Sequence, residues 1–476
     1  MAAAAGLSLV AGLIDLTERG QNTPELLVAG GLGGVLASVA ASRIRRPARI
    51  LFSDILCGTT VALLAMVAGV AGLYLLTGTV ERLEDALFEA VSGCTTTALS
   101  VVDPNTLGRG LLFVRSGSQW LGGLGALVLA VVILPFRGDG GEFADRSGAD
   151  GRKPLAPNHR TALRNVVAIY VPVCLILWVA YAAAGAGGFG SLLLSMATVS
   201  TGGFVGPGDP LATGAVRWVA IIGMAVAGTS VVVLWRLVAG RGRGLLRSRE
   251  LRSYLFLLVV ATALFTVWNG PGGVSEIREA LFTVTSAVST TGFASSPAGE
   301  WSAAAPVLLL LLVAIGPMSG SVGGGFQLLR LRLLLKAAIR EMVRQLHPRV
   351  VARIRVGDRV ASENTVRQAT VVQFVFVSLL FVTALVVAAF GTELVTALSA
   401  AVHALATAGP VRTLDGLVLD PSDWSRSARL SLVPAMVAGR LYFYPAAIAA
   451  GTLGSHVGDL LQVRRRWRRW RTGTTK

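Results

Sequence analysis

Asp85-Ala-Leu-Phe-Glu-Ala-Val-Ser-Gly-Cys-Thr-Thr-Thr-Ala98 and Glu279-Ala-Leu-Phe-Thr-Val-Thr-Ser-Ala-Val-Ser-Thr-Thr-Gly292 are two copies of one segment. Over an offset of 194 residues, from 98 to 292, the Ala-Leu-Phe, the Ser and the Thr-Thr coincide without a gap. Two weaker copies follow the same plan: Ser191-Leu-Leu-Leu-Ser-Met-Ala-Thr-Val-Ser-Thr-Gly-Gly203 and Ala397-Leu-Ser-Ala-Ala-Val-His-Ala-Leu-Ala-Thr-Ala-Gly409. Each is a short apolar segment ending in a Ser/Thr/Gly cluster, with one long apolar run before it and another after it. A helix needs about 20 apolar residues to cross a bilayer, so these segments enter without crossing. The repeating unit is span, half-span, polar loop, span. Irregular backbone at membrane depth survives only where it lines a cavity or is buried in protein. Four such units around one axis bring four polar loops face to face.

The rest of the chain agrees with a membrane setting. It is 53% hydrophobic and 14% charged, too little charge to cover a soluble domain of 476 residues. Apolar runs of spanning character include Ile55–Leu76, Val166–Ala184, Ala305–Ile315 with its Gly-rich extension, and Val371–Phe390. The net charge of +17 is concentrated in Arg43–Arg49, Arg137–Arg164, Arg236–Arg252, Arg330–Arg367 and Arg464–Lys476. The connectors between them are poor in Lys and Arg, the alternation expected of a multi-span protein with its basic segments in the cytoplasm. The charge therefore orients the chain, with the loops opening outward, and no nucleic-acid partner is expected. Cys57, Cys94 and Cys174 are scattered and support neither a disulfide framework nor a zinc site. No Lys or Arg precedes Arg19, so the apolar start lacks the basic region of a signal peptide, and Leu7–Ile14 reads as part of a short first helix.

Ser, Thr and Gly in a re-entrant loop offer carbonyls and hydroxyls without formal charge. Rings of carbonyls can replace the hydration shell of a weakly hydrated monovalent cation, whereas Mg²⁺ keeps its water and prefers carboxylates, which the four loops lack. Glycine allows the φ > 0 that turning successive carbonyls inward requires, and half-helix C-termini add partial negative charge. The plainer alternative is that such loops only mark close helix packing. An intramembrane enzyme would need a dyad or metal cluster at depth, and the sequence shows only Ser, Thr and one Arg there.

Seven motifs follow in order along the chain: Phe88-Glu-Ala-Val-Ser-Gly-Cys-Thr-Thr-Thr97, Gln119-Trp-Leu-Gly-Gly-Leu-Gly125, Ser200-Thr-Gly-Gly-Phe204, Ser289-Thr-Thr-Gly-Phe293, Gly320-Ser-Val-Gly-Gly-Gly325, His347-Pro-Arg349 and Gly439-Arg-Leu441. Taken together they resemble the TrkH/KtrB branch of the Trk/Ktr/HKT potassium-transporter superfamily. The similarity runs from about Arg43 to Leu461. It implies an all-α polytopic fold of four span–pore-helix–span repeats around a central pore, preceded by two helices that Leu7–Ile14 and Leu26–Ala41 would supply. The units fall at 51–136, 137–240, 241–346 and 347–463, after an N-terminal part, 1–50, and before a basic tail, 464–476.

The resemblance further implies uptake of K⁺ through a selectivity filter of four quartets: Thr95, Thr96, Thr97 and Ala98; Ser200, Thr201, Gly202 and Gly203; Ser289, Thr290, Thr291 and Gly292; Ala406, Thr407, Ala408 and Gly409. It implies a gate at Gly320, Ser321, Gly323, Gly324 and Gly325, a stretch that is also a poor helix in its own right. Arg440, in the apolar stretch Leu430–Ala450, is a functional candidate by position and in the family an electrostatic barrier below the filter; snorkelling or a bond to a carbonyl is the alternative. No cofactor is implied. A homodimer is, as is a separate nucleotide-binding regulator of TrkA/KtrA type docking on basic loops such as Lys336–Arg355.

Three positions and one quartet depart from the family pattern. Ala98 replaces the first-repeat glycine, which keeps Na⁺ permeation open as an alternative. Tyr442 stands where many members carry Glu, and Gln327 where many carry Lys. Ala406-Thr-Ala-Gly409 is the least filter-like quartet. These departures also leave a non-conducting sensor on the same scaffold conceivable. In the tail, Arg464-Arg-Arg-Trp-Arg-Arg-Trp-Arg471 reads as a site for anionic lipid. His159, His347, His403 and His456 have no metal spacing; His403, before the fourth quartet, is either a pH sensor or a packing residue. Gly30-Gly-Leu-Gly33 reads as helix packing, because no strand precedes it.

Overall fold

The structure is a computed structural model that describes residues 2–18, 23–43, 52–133, 159–240, 248–270, 273–294, 301–302, 304–347, 349–350, 354–356, 359–361, 363–410, 418–443, 445 and 451. The tail 464–476, His456, the His159 side chain, Pro348 and most of the run after Phe443 lie outside the described residues.

Two helices, α1 (Ala2–Glu18) and α2 (Thr23–Arg43), pack together ahead of the repeats. A Cβ placed on Gly30 would lie 2.7 Å from Leu9 Cγ, so this glycine does serve helix packing. Leu7–Ile14 is the middle of the first helix, which is short. It starts in the Ala-rich stretch at residue 2 and continues past Asp15, which is buried and accepts the Gly110 N–H at 2.7 Å. A carboxylate at the start of another helix is favourably placed, and that contact accounts for a charge within an apolar helix.

The first repeat is α3 (Phe52–Leu76), α4 (Leu83–Cys94) and α5 (Arg109–Val128); the second is α6 (His159–Ala183), α7 (Gly188–Val199), α8 (Gly214–Ala227) and α9 (Val231–Val238). The third is α10 (Arg249–Trp268), α11 (Val274–Val288), α12 (Ala304–Ile315) and α13 (Leu328–Leu346); the fourth is α14 (Glu363–Ala389), α15 (Leu394–Ala406) and α16 (Arg426–Arg440). Helices α3, α5, α6, α10 and α14 are long and apolar enough to span a membrane. Between α13 and α14 lies a two-residue antiparallel ladder, β1 (Arg355–Val356) with β2 (Arg359–Val360). At exposed Glu341 on α13 the hydrogen bond from Arg340 holds the carboxyl below the usual carboxylate range.

The repeats close into a ring. In each, the second span packs on the short pore helix of the next: α5 on α7, α8 on α11, α12 on α15, and α16 back on α4. Arginines near the start of three of these spans reach the neighbouring pore helix. Arg217 pairs with Glu279 at 2.6 Å, Arg429 with Asp85 at 2.9 Å, and the Arg109 guanidinium lies 5.2 Å from the Phe189 ring centre. Partly exposed pairs of this sort stabilise little, on the order of 1 kcal/mol or less, but they fix which helix neighbours which.

The sequence suggested an uninterrupted second span in repeat 2. Instead α8 and α9 meet at 102° across Gly228-Thr229-Ser230. Repeat 3 is interrupted at the corresponding place, over residues 316–327 between α12 and α13.

Candidate cation site

The pore helices α4, α7, α11 and α15 end alike. In the quartet that follows each, the second residue's N–H returns to the carbonyl three residues back: Thr96 to Gly93, Thr201 to Thr198, Thr290 to Ala287 and Thr407 to Ala404. The third residue's N–H returns five residues back: Thr97 to Ser92, Gly202 to Ala197, Thr291 to Ser286 and Ala408 to His403. This paired closure normally carries glycine at its left-handed position. Here threonine takes that position four times, with φ of 57°, 51°, 58° and 49° at Thr96, Thr201, Thr290 and Thr407. A β-branched residue there is strained by about 1–3 kcal/mol, a cost that accumulates at functional sites.

The fourth residue is again left-handed in three quartets, with φ of 56° at Ala98, 78° at Gly203 and 75° at Gly292. Residues of alternating hand turn successive carbonyls to one side, while their N–H groups face the helix end. Gly409 does not share the positive φ, so the glycine argument made from sequence holds for two quartets, fails for the fourth, and is met by alanine in the first.

Contacts among these residues close the circle. A Cβ on Gly203 would collide with the Thr291 carbonyl, and one on Gly292 with the Gly409 carbonyl. One on Gly409 would lie 2.6 Å from Thr97 O and 2.8 Å from Ala98 Cβ. The Ala98 methyl is accommodated because the adjoining residues, Gly203 and Gly409, have none. The hydroxyls of Thr96 and Thr407 are buried and have no hydrogen-bond partner among the described residues. What the loops can offer chemically is a ring of uncharged oxygens at the buried ends of four helices.

The loops are braced from behind. Fully buried Gln119 on α5 donates to the Gly202 carbonyl at 2.6 Å and accepts from the Phe204 N–H at 3.2 Å. Side chains at Gly122 and Gly123 would strike Cys94 O and Ser200, so these glycines seat α5 against the ends of two pore helices. The sequence contained both features without assigning Gln119 a role; only the fold brings it to residues 83 and 85 positions away.

The interruption at 316–327 lies directly against two quartets. Gly324 N donates to Thr290 Oγ1 at 3.0 Å, and a Cβ there would collide with the Ala406 carbonyl. A Cβ on Gly323 would lie 2.7 Å from Ser289 O. Gly320 O accepts from Val231 N at 2.9 Å and Met318 N donates to Gly228 O at 3.1 Å, joining this break to the one in repeat 2. Ser321 closes on Met318 O at 2.6 Å, and Gly325 takes φ of 74°. Arg440, buried at the end of α16, donates to Val322 O at 3.1 Å; its Nε and Nη2 have no partner among the described residues. The residues expected to form a gate thus meet the quartets and Arg440. Gln327 and Tyr442 are both left-handed, at φ of 64° and 54°, and Arg330 lies 5.9 Å from the Tyr442 ring centre. His403 is buried and its Nδ1–H donates to Ser399 O at 2.8 Å.

Comparison with known proteins points the same way. The family model described as TrkH, cation transport protein, matches residues 73–455. The Trk system potassium uptake protein TrkH of Halomonas elongata is 32% identical over 383 residues, 76% of this chain and 78% of that protein. Its namesake from Escherichia coli K12 is 31% identical over 378 residues, 75% and 76% of the two chains. The crystal structure of the potassium transporter TrkH from Vibrio parahaemolyticus superposes with a TM-score of 0.84, covering 93% of this chain and 95% of that one at 24% identity, which speaks to the fold.

Proposed function

This chain belongs to the TrkH family of cation transport proteins, membrane transporters and not enzymes, and from that premise we propose that it takes up K⁺ through the central path between its four quartets. The observation that carries the reading is the fourfold helix ending, with a threonine held left-handed each time. Backbone strain repeated at four places around one axis is explained by a common task, and directing carbonyls at a passing ion is such a task. Its relatives are named as parts of a Trk potassium uptake system, which supports K⁺ as cargo and a multi-component assembly.

On this reading Thr95–Ala98, Ser200–Gly203, Ser289–Gly292 and Ala406–Gly409 form the filter. The break containing Gly320, Ser321, Gly323, Gly324 and Gly325 forms the gate, and Arg440 holds that gate by the Val322 carbonyl while placing positive charge on the ion's route. The repeats keep the bounds 51–136, 137–240, 241–346 and 347–463. The basic loops and C-terminus face the cytoplasm of a cell membrane, the chain works as a homodimer, and a TrkA/KtrA-type nucleotide-binding subunit docks on basic loops such as Lys336–Arg355. Anionic lipid holds the tail.

One observation favours a second reading of the cargo. Ala98 places a methyl in the ring, so Na⁺ is discriminated against less strongly than in an all-glycine ring. Uptake of ⁸⁶Rb⁺ and ²²Na⁺ by liposomes holding the purified protein tests both readings. Rubidium uptake competed by K⁺ supports the first, preferential sodium uptake the second, and uptake of neither contradicts both. Rescue of an uptake-deficient strain at low K⁺ separates a transporter from a non-conducting sensor.

A further inference from the structure

Behind the first quartet lies a buried ion pair to which the ion path assigns no task. Glu89 is fully buried on α4. Its Oε1 accepts from Arg115 Nε at 3.0 Å and its Oε2 from the Val101 N–H at 3.0 Å. The Ser100 hydroxyl lies 2.9 and 3.0 Å from the two carboxylate oxygens and itself accepts from Arg115 Nη2 at 2.7 Å. The Arg115 guanidinium is 3.8 Å from the centre of the Phe204 ring. Ser100 and Val101 lead out of the first quartet, and Phe204 directly follows Gly203 at the end of the second. One ion pair therefore grips the exit of one quartet and stacks on the exit of its neighbour.

Keeping two charges out of water is costly, and an apolar pair of similar volume often serves as well for stability alone. The same chain supplies the comparison. The 194-residue offset that superposes the two strongest segments carries Glu89 onto Thr283, Arg115 onto Leu309, Ser100 onto Ala294 and Ala98 onto Gly292. The charged brace thus accompanies the quartet with alanine at a left-handed position, and repeat 3, with glycine there, does without it. Discrimination between two cations of different radius requires oxygens that do not close in on the smaller one, whether size or ligand field decides. A strand fixed immediately beyond Ala98 resists that movement.

We propose that the Glu89–Arg115 pair is a positioning element for selectivity: through Ser100 and Val101 it holds the first quartet at the spacing that favours K⁺ over Na⁺, without touching the ion. The proposal rests on the quartets being the filter. It is tested with the full-length protein in liposomes, by the ratio of K⁺ to Na⁺ concentrations that halve ⁸⁶Rb⁺ uptake. Glu89→Gln is expected to reduce the K⁺ preference roughly tenfold, the scale of one lost charged hydrogen bond, and Ser100→Ala roughly two- to fivefold. Arg115→Lys, which keeps the charge but loses the fork and the stacking, is expected between them. A merely structural role would lower the amount of folded protein and the rate while leaving the ratio unchanged. That result in folded Glu89→Gln and Ser100→Ala overturns the proposal. If Glu89→Gln does not fold, Ser100→Ala decides alone: a shifted ratio supports the proposal and an unchanged one overturns it. Should the wild type take up no rubidium, or Gly292→Ala leave uptake and ratio unaltered, the filter reading fails and the proposal with it. Should Gly292→Ala act and the brace variants not, only the proposal fails.

Discussion

Repeats 1 and 3 begin from nearly the same residues and reach nearly the same backbone by different means. Thr96 and Ala98 take φ of 57° and 56°; Thr290 and Gly292 take 58° and 75°. Around the first pair the interior is ionic, with Glu89, Arg115 and Ser100 hydrogen-bonded together and the Arg115 guanidinium over the Phe204 ring. Around the second is a cavity of ≈ 50 Å³ whose lining includes Thr283, Ser286, Leu309, His403 and Gly409. Thr283 Oγ1 is buried there without a partner among the described residues, and the Ser286 hydroxyl bonds Phe293 O at 2.8 Å. The backbone of a quartet is therefore set by its helix ending, which both repeats share. What surrounds it determines how firmly that backbone is held. Glycine needs little holding at φ > 0, and alanine more.

The most severe way to break the comparison is to give repeat 3 the alanine of repeat 1. A methyl at Gly292 would strike the Gly409 carbonyl, whereas the Ala98 methyl faces the positions at Gly203 and Gly409 where no Cβ stands. Rubidium uptake is expected to fall roughly tenfold or more, the effect of about 1.4 kcal/mol or more on a barrier. Transplanting half of the brace comes next. Thr283→Glu alone buries an unpaired carboxylate and should destabilise by about 3–5 kcal/mol in thermal or denaturant unfolding, with Leu309→Arg in addition recovering part of it. Ala98→Gly relieves a left-handed alanine worth roughly 1 kcal/mol. It is expected to raise the unfolding midpoint slightly and the K⁺ preference severalfold; an unchanged permeability ratio would dismiss Ala98 as a determinant. Smallest, Thr283→Val removes a buried unpartnered hydroxyl and should leave stability within about 1 kcal/mol, or improve it, with the ratio unmoved.

The shared part of this comparison was legible in the sequence, because a repeat announces itself by its own recurrence. Spans, short half-helices and the four Ser/Thr/Gly loop ends followed from it, whereas the quartets as a filter, and Gly320–Gly325 and Arg440 below them, came only from the resemblance to the TrkH/KtrB branch. The left-handed threonines were not legible: nothing in the propensity of Thr points to φ > 0, and only tertiary packing holds it there. The break at Gly228-Thr229-Ser230 was hidden because apolar residues run on through both sides of it. Glu89 and Arg115 stood in plain view, 26 residues apart, but their partnership depends on α4 and α5 meeting behind a loop. The role of Asp15 was hidden for the same reason, since its partner Gly110 is 95 residues away.

The central claim is that the four quartets form one selective path for a monovalent cation. Uptake of ⁸⁶Rb⁺ against ²²Na⁺ in liposomes, for the wild type beside Gly292→Ala, tests it most directly. Rubidium uptake that K⁺ competes better than Na⁺, and that Gly292→Ala sharply reduces, is the predicted result. Absence of cation uptake by the folded wild type, or uptake and selectivity unaffected by Gly292→Ala, would contradict it.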